Sequence, residues 1–109
     1  MKISVRGVGT AMVVEVEGEV DLGTSGDLRH TLFEALPTVG KLALNLGAIR
    51  YIDSSGIATL IEVLKYAQQL KKEFVLFGLS PAVLEVFRLT HVIRIFQVFQ
   101  TEQEALGTS

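Results

Sequence analysis

Two short, nearly continuous apolar runs, KLALNL at Lys41–Leu46 and EFVLFG at Glu73–Gly78, flank a long stretch of helical periodicity. A run this short and this apolar suits a strand covered on both faces, and two such strands joined through a helix imply a crossover connection. Ahead of them the period is two. Ile3 and Val5 alternate with polar neighbours, RGVGT supplies turn glycines, and Met12, Val14 and Val16 alternate against Glu15 and Glu17. The first twenty residues therefore read as a β-hairpin. Between hairpin and first run, Leu28, Leu32, Ala35 and Leu36 recur at helical spacing, with Thr24 and Asp27 placed as a capping box and Pro37 as a stop. Ile57, Leu60, Ile61, Leu64, Ala67 and Gln68 share one face of the long helix. Ser80-Pro81 opens another helix, with Val83, Leu84 and Phe87 inward. IFQVF alternates as a last strand, and Thr101 with Glu104 forms a final capping box. The expected fold is α/β: a mixed central sheet of four to five strands, opening with a hairpin, with helices packed over it.

Bulk properties narrow the function. At 109 residues the chain is expected to be one domain, residues 1–109, with a single core. The net charge of -2 leaves no basic stripe for a nucleic acid. The absence of cysteine removes thiolate chemistry, disulfides and Cys-based zinc sites. No run approaches a membrane span, and the opening MKISVRGVGT lacks the apolar core of a signal peptide, so a cytoplasmic protein is expected.

Polar chemistry concentrates in Asp53-Ser54-Ser55-Gly56, between the strand LALNLGAIRYI and the long helix. In open sheets with crossover helices, loops at the carboxyl ends of strands face a crevice. There Asp53 or Ser54 can cap the helix, Gly56 lets another chain approach the backbone closely, and the helix dipole favours added negative charge. From residue chemistry alone two readings are open, a plain cap and turn or an exposed hydroxyl that tolerates a phosphate.

The DSSG turn after an LNL strand, the apolar helix that follows it, and then FVLFGLSPAVLEVFRLTHVIRIFQVFQTEQEAL resemble the STAS-domain anti-sigma factor antagonists. VEGEVDLGTSGDLRHTL resembles the same family's opening strand, Gly-Glu-x-Asp turn and first helix, so the likeness runs from about residue 10 to about residue 106. The resemblance implies a STAS-like fold and a protein without catalysis or cofactor, which docks on a cognate anti-sigma factor that is also a serine kinase. It implies that the kinase phosphorylates Ser54 and so releases the complex, and that a metal-dependent serine phosphatase restores binding. It also matches Asp53 to the motif aspartate and Asp21 to an acidic residue near the docking face. A phosphoserine adds about −1.5 to −2 charges, so on Ser54 it would join Asp53 and Asp21 in one acidic patch. The long helix is expected to present Ser55, Thr59, Glu62, Val63 and Tyr66 away from its packed face, with Gly56 at its start; Val63 and Tyr66 read equally well as flanking core.

Other chemistries find less support. His30 and His91 have no ligand spacing to each other. The hairpin glycines link two strands rather than a strand and a helix, so they form no dinucleotide fingerprint, and no phosphate-cradling Gly-Lys loop is present. Glu19, Asp21 and Asp53 form no recognisable acid/base pair with a substrate pocket, and Ser54 lacks the Gly-x-Ser-x-Gly elbow of a hydrolase. The alternative within the same fold is a STAS subunit of another signalling or transport assembly in which Ser54 is structural. A free-standing antagonist, a monomer or weak dimer with neither nucleic acid nor membrane among its partners, is the leading expectation.

Overall fold

The computed structural model describes residues 1–107. Strands β1 (Lys2–Val8) and β2 (Ala11–Val20) form the expected antiparallel hairpin, closed over Gly9 and Thr10 with Gly9 at φ +60. Helix α1 (Ser25–Ala35) follows, then β3 (Lys41–Ile52), α2 (Ser54–Leu70), β4 (Glu73–Phe77), α3 (Pro81–Leu89), β5 (Val98–Phe99) and α4 (Glu102–Leu106). The five strands lie in sequence order, and β2 to β5 all run parallel. This is the α/β class read from the sequence, a mixed sheet led by a hairpin.

The sheet is covered on both faces, which is why its central strands are so apolar. Leu42, Leu44 and Leu46 of β3 join Leu28 and Leu32 of α1, Leu60, Val63 and Ala67 of α2, and Val83 and Phe87 of α3 in the large core. On the reverse face the smaller Ala43 meets Val13, Val75, Phe77 and Ala105 of α4. Alternation therefore sorts large side chains to the three-helix face and a small one beneath the short helix. The Thr101–Glu104 capping box forms in both directions at the start of α4, and the Ser80 hydroxyl accepts the Val83 N–H at the start of α3.

Three expectations are corrected. The capping box at Thr24 and Asp27 does not form, because the Thr24 hydroxyl accepts the Asp21 N–H at 2.9 Å and donates to the Glu19 carbonyl at 2.9 Å. The last strand is shorter than IFQVF. Phe96 packs edge-on to Phe74, with centroids 6.3 Å apart, and lies 5.8 Å from Phe87, drawing the chain through a 3-10 turn at Val92–Arg94 and leaving only Val98–Phe99 paired. The packed face of α2 is rotated from the one read in the sequence. Thr59 and Val63 are 5% and 0% exposed, whereas Ile61 and Leu64 lie at the margin and Gln68 is in solvent. The large core meets α2 from both β3 and α1, so the buried stripe centres on Leu60, Val63 and Ala67.

Leu60 is fully enclosed at the centre of this stripe. Leu60→Ala is expected to cost about 2–5 kcal/mol through lost burial and a residual cavity, and Gln68→Ala less than about 0.5 kcal/mol. Denaturant titration of both variants checks the assignment, and comparable losses would mean that the helix is turned the other way.

Candidate functional site

Parallel pairing places two acidic residues together. Val20 and Ile52 are register partners at the carboxyl ends of β2 and β3, so Asp21 and Asp53 leave the sheet side by side. The Asp53 N–H donates to the Val20 carbonyl at 3.2 Å, tying the second turn to the first strand.

Each aspartate then organises its own turn. Asp21 Oδ1 accepts from the Gly23 N–H at 2.9 Å and the Thr24 N–H at 3.1 Å. Its carbonyl accepts from the Ser25 N–H at 2.8 Å, which folds the chain into α1. Asp53 is the N-cap of α2: Oδ1 accepts from the Ser55 N–H at 3.0 Å, the Gly56 N–H at 3.3 Å and the Ser55 hydroxyl at 2.5 Å. These bonds satisfy two of the helix's otherwise unpaired amides. They decide between Asp53 and Ser54 as the cap, and they separate the serines. Ser55 is half-buried with its hydroxyl held by Asp53; Ser54 is exposed, and its hydroxyl makes no hydrogen bond among the described residues.

Gly56 has a different part from the one expected. It is buried, and a Cβ there would lie 2.7 Å from Ile52 Cγ1 and 2.8 Å from Val20 Cγ1. The close approach is made by the protein's own sheet, not by another chain. Thr59 and Val63 likewise belong to the core and offer no surface to a partner. Glu62 is exposed and receives Arg29 Nε at 3.1 Å, while half-buried Tyr66 stacks on Phe33 with centroids 4.6 Å apart. The Arg29 guanidinium lies 4.3 Å above the Phe33 ring. The long helix thus presents Ser54, Glu62 and part of Tyr66, joined to α1 by an ion pair and an aromatic stack.

Leu22 was not anticipated. It sits in the turn between Asp21 and Gly23 and is 83% exposed. The signal was in the sequence, since an apolar residue among turn formers has no local role there. The Phe33–Tyr66 stack had no such signal because it joins two helices. His30 pairs with Glu34 one turn on, and both His30 and His91 are exposed. Among the described residues no group of three His, Cys, Asp or Glu side chains could hold a metal ion, and no helix is long and apolar enough to cross a membrane.

The Ser55 hydroxyl, then the Gly56 and Ser55 amides, hold the Asp53 carboxyl below its ordinary value against partial desolvation. A group whose pKa is lowered by folding contributes stability above its unfolded value and loses it as pH falls through the folded one. Asp53→Ala should therefore show its full stability deficit at neutral pH, and the deficit should shrink below about pH 4 as wild-type Asp53 is protonated. Thermal melts of both proteins across that range test this, and a constant deficit would exclude the carboxylate's charge as the source.

Comparison with known proteins agrees with this geometry. The STAS domain family model matches residues 2–105. The anti-sigma-B factor antagonist of Listeria monocytogenes is 30% identical over 95 residues, covering 86% of this chain and 83% of that protein. An anti-sigma factor antagonist from Mycobacterium paratuberculosis superposes with TM-score 0.87 at 23% identity, covering 96% of this chain and 90% of that one. The Bacillus cell fate determinant SpoIIAA has the same fold in its phosphorylated form, with TM-score 0.75, 20% identity and 96% of each chain covered. Hairpin, parallel sheet, the paired aspartate turns and these likenesses converge: the chain belongs to the STAS-domain family, among its anti-sigma factor antagonists.

Proposed function

We propose that this antagonist is controlled at Ser54. An anti-sigma factor that is also a serine kinase binds the end of the molecule formed by Asp21, Asp53 and Ser54, and phosphorylation of Ser54 releases the complex. A metal-dependent serine phosphatase returns the protein to its binding form. The switch works in the cytoplasm, where sigma factors act, on a monomer or weak dimer comprising the single domain 1–109.

The observation that carries this reading is the division of labour between the serines. A phosphoryl acceptor must bring its oxygen to the donor phosphate and lose its proton. Ser55 is half-buried with its hydroxyl donated to Asp53, whereas Ser54, at the first position of α2, is exposed and unengaged among the described residues. A phosphate at that position is favoured locally by the helix dipole, by ~0.3–1 kcal/mol, so the fold tolerates it. For the partner the outcome is opposite. Two or so negative charges beside Asp53 and Asp21 confront a surface complementary to a neutral hydroxyl, and mismatched charge in an interface costs several kcal/mol.

The docking footprint in this reading comprises Asp21, Asp53, Ser54 and Ser55, with Glu62 and Tyr66 further along α2. Leu22 supplies the apolar anchor, because a leucine 83% exposed beside the switch is suited to a pocket on the partner. Gly56, Thr59 and Val63 act only by shaping the helix from within.

Titration of wild type, Ser54→Ala and Ser54→Asp against the cognate anti-sigma factor tests the gate. Ser54→Ala should bind within a few-fold of wild type, whereas Ser54→Asp should lose about 100-fold or more, the several kcal/mol of an unpaired interfacial charge. All three should melt within a few degrees of one another. After incubation with the kinase and ATP-magnesium, wild type should carry one phosphate, mapped to Ser54. Equal affinities, or a phosphate on Ser55, would overturn the assignment.

A further inference from the structure

We propose that the free edge of β5 is a second docking site, which takes an extended, carboxylate-bearing peptide segment of a partner protein. It is independent of the Ser54 switch. In the strand order β1-β2-β3-β4-β5 the outer side of β5 has no strand neighbour among the described residues. The carbonyls of Gln97 and Phe99 accept from Leu76 and Gly78 of the neighbouring β4 segment, at 2.9 and 3.0 Å. Because the two sides of a strand alternate, the N–H and carbonyl of Val98 between them turn outward. Those groups are an open template for one more strand.

Beside this edge lies a groove of about 390 Å³, lined among others by Leu79, Leu84, Arg88, Val98 and Phe99. Leu84 and Arg88 stand one turn apart on α3 and share its groove-side face. The groove thus offers an apolar floor, a row of backbone groups and one cation. Arg88 is exposed and has no carboxylate within ion-pair distance among the described residues.

Charge identifies the occupant. From Val86 to Thr101 the chain contains Arg88, His91 and Arg94 but no aspartate or glutamate, and the Glu104 carboxylate beyond that stretch is already held by the Gln100 and Thr101 N–H groups, so Arg88 is the charge left to pair with a segment that carries a carboxylate. A second copy of this chain fits poorly: its long exposed edge strand, β1, has no acid to offer Arg88, and its cations are Lys2 and an Arg6 already paired with Glu102. Those two cations also guard the β1 edge against added strands, whereas no charged residue lies between Ile95 and Thr101 to guard β5. The Gln100 N–H is already taken by Glu104 at 3.1 Å, which limits the template to Gln97–Phe99 and makes binding weak and reversible.

The test uses ¹⁵N-labelled protein and two short probes: a threonine–valine peptide ending in glutamate with a free C-terminal carboxylate, and the same peptide ending in glutamine with a C-terminal amide. The acidic probe should shift the amide resonances of Gly78, Leu84, Arg88, Val98 and Phe99, and the amidated probe should bind about tenfold more weakly, the worth of one charge-assisted contact. Arg88→Glu should abolish that preference without changing the melting temperature. Val98→Pro, which deletes the outward N–H at an edge position where proline is tolerated, should weaken both probes. Ser54→Asp should bind both as wild type does, so the result stands whether or not Ser54 is the switch. Absence of shifts at millimolar probe, shifts confined to β1 or the Ser54 end, or equal affinity for the two probes would overturn the proposal.

Discussion

The amino end of α2 rests directly on the carboxyl ends of β2 and β3, with nothing but the hydrogen of Gly56 between the helix backbone and the side chains of Val20 and Ile52. The rest of the site follows from that contact. It draws the helix start close enough for the Asp53 N–H to bond the Val20 carbonyl, which keeps the two strand ends level and sets Asp21 beside Asp53. It also orients the first turn of α2, so that Ser55 faces its cap and Ser54 faces solvent. A side chain at position 56 would push the helix away from the sheet and loosen all of these relations together.

The same end of the molecule combines opposed electrostatic demands. Asp53 stabilises the helix as a carboxylate through three hydrogen bonds from the first turn, and the helix dipole there favours negative charge. Asp21 is spent on a separate turn, with backbone N–H groups as its partners. Neither aspartate is neutralised by a basic side chain among the described residues. The protein therefore accepts negative charge internally while presenting it to whatever docks. Such a surface is suited to the control by a covalent charge proposed for Ser54, since added negative charge there meets a favourable helix end within the fold.

Away from this end, the helical layer is tied together at its surface. Arg29 bonds Glu62 and lies over Phe33, which stacks on Tyr66. Exposed ion pairs contribute little singly, but here the pair is joined to an aromatic stack, and α1 and α2 form one continuous face leading from Ser54. The opposite margin of the sheet, at β5, is built differently, with a short strand, an apolar groove and an arginine, Arg88, that has no ion-pair partner among the described residues.

How much of this was legible in the sequence depended on range. The hairpin, the Ser80 and Thr101 caps and the DSSG turn are written in local periodicity and capping chemistry and the two strands in the composition of their apolar runs, so the sequence determined them, and the family likeness pointed to the turn that the structure sets at the carboxyl ends of β2 and β3. The rotation of α2 was not legible, because its sequence has apolar residues on more than one side, and only the joint packing of β3 and α1 chose the stripe through Leu60, Val63 and Ala67. The end of the last strand was decided by three phenylalanines brought together from positions 74, 87 and 96. Thr24 left its capping box because its hydroxyl met Glu19 and Asp21 across a turn. The sequence by itself determined which residues could carry a cap, a charge or a hydroxyl. Tertiary structure decided which serine was left free, because that depends on where the sheet holds the helix.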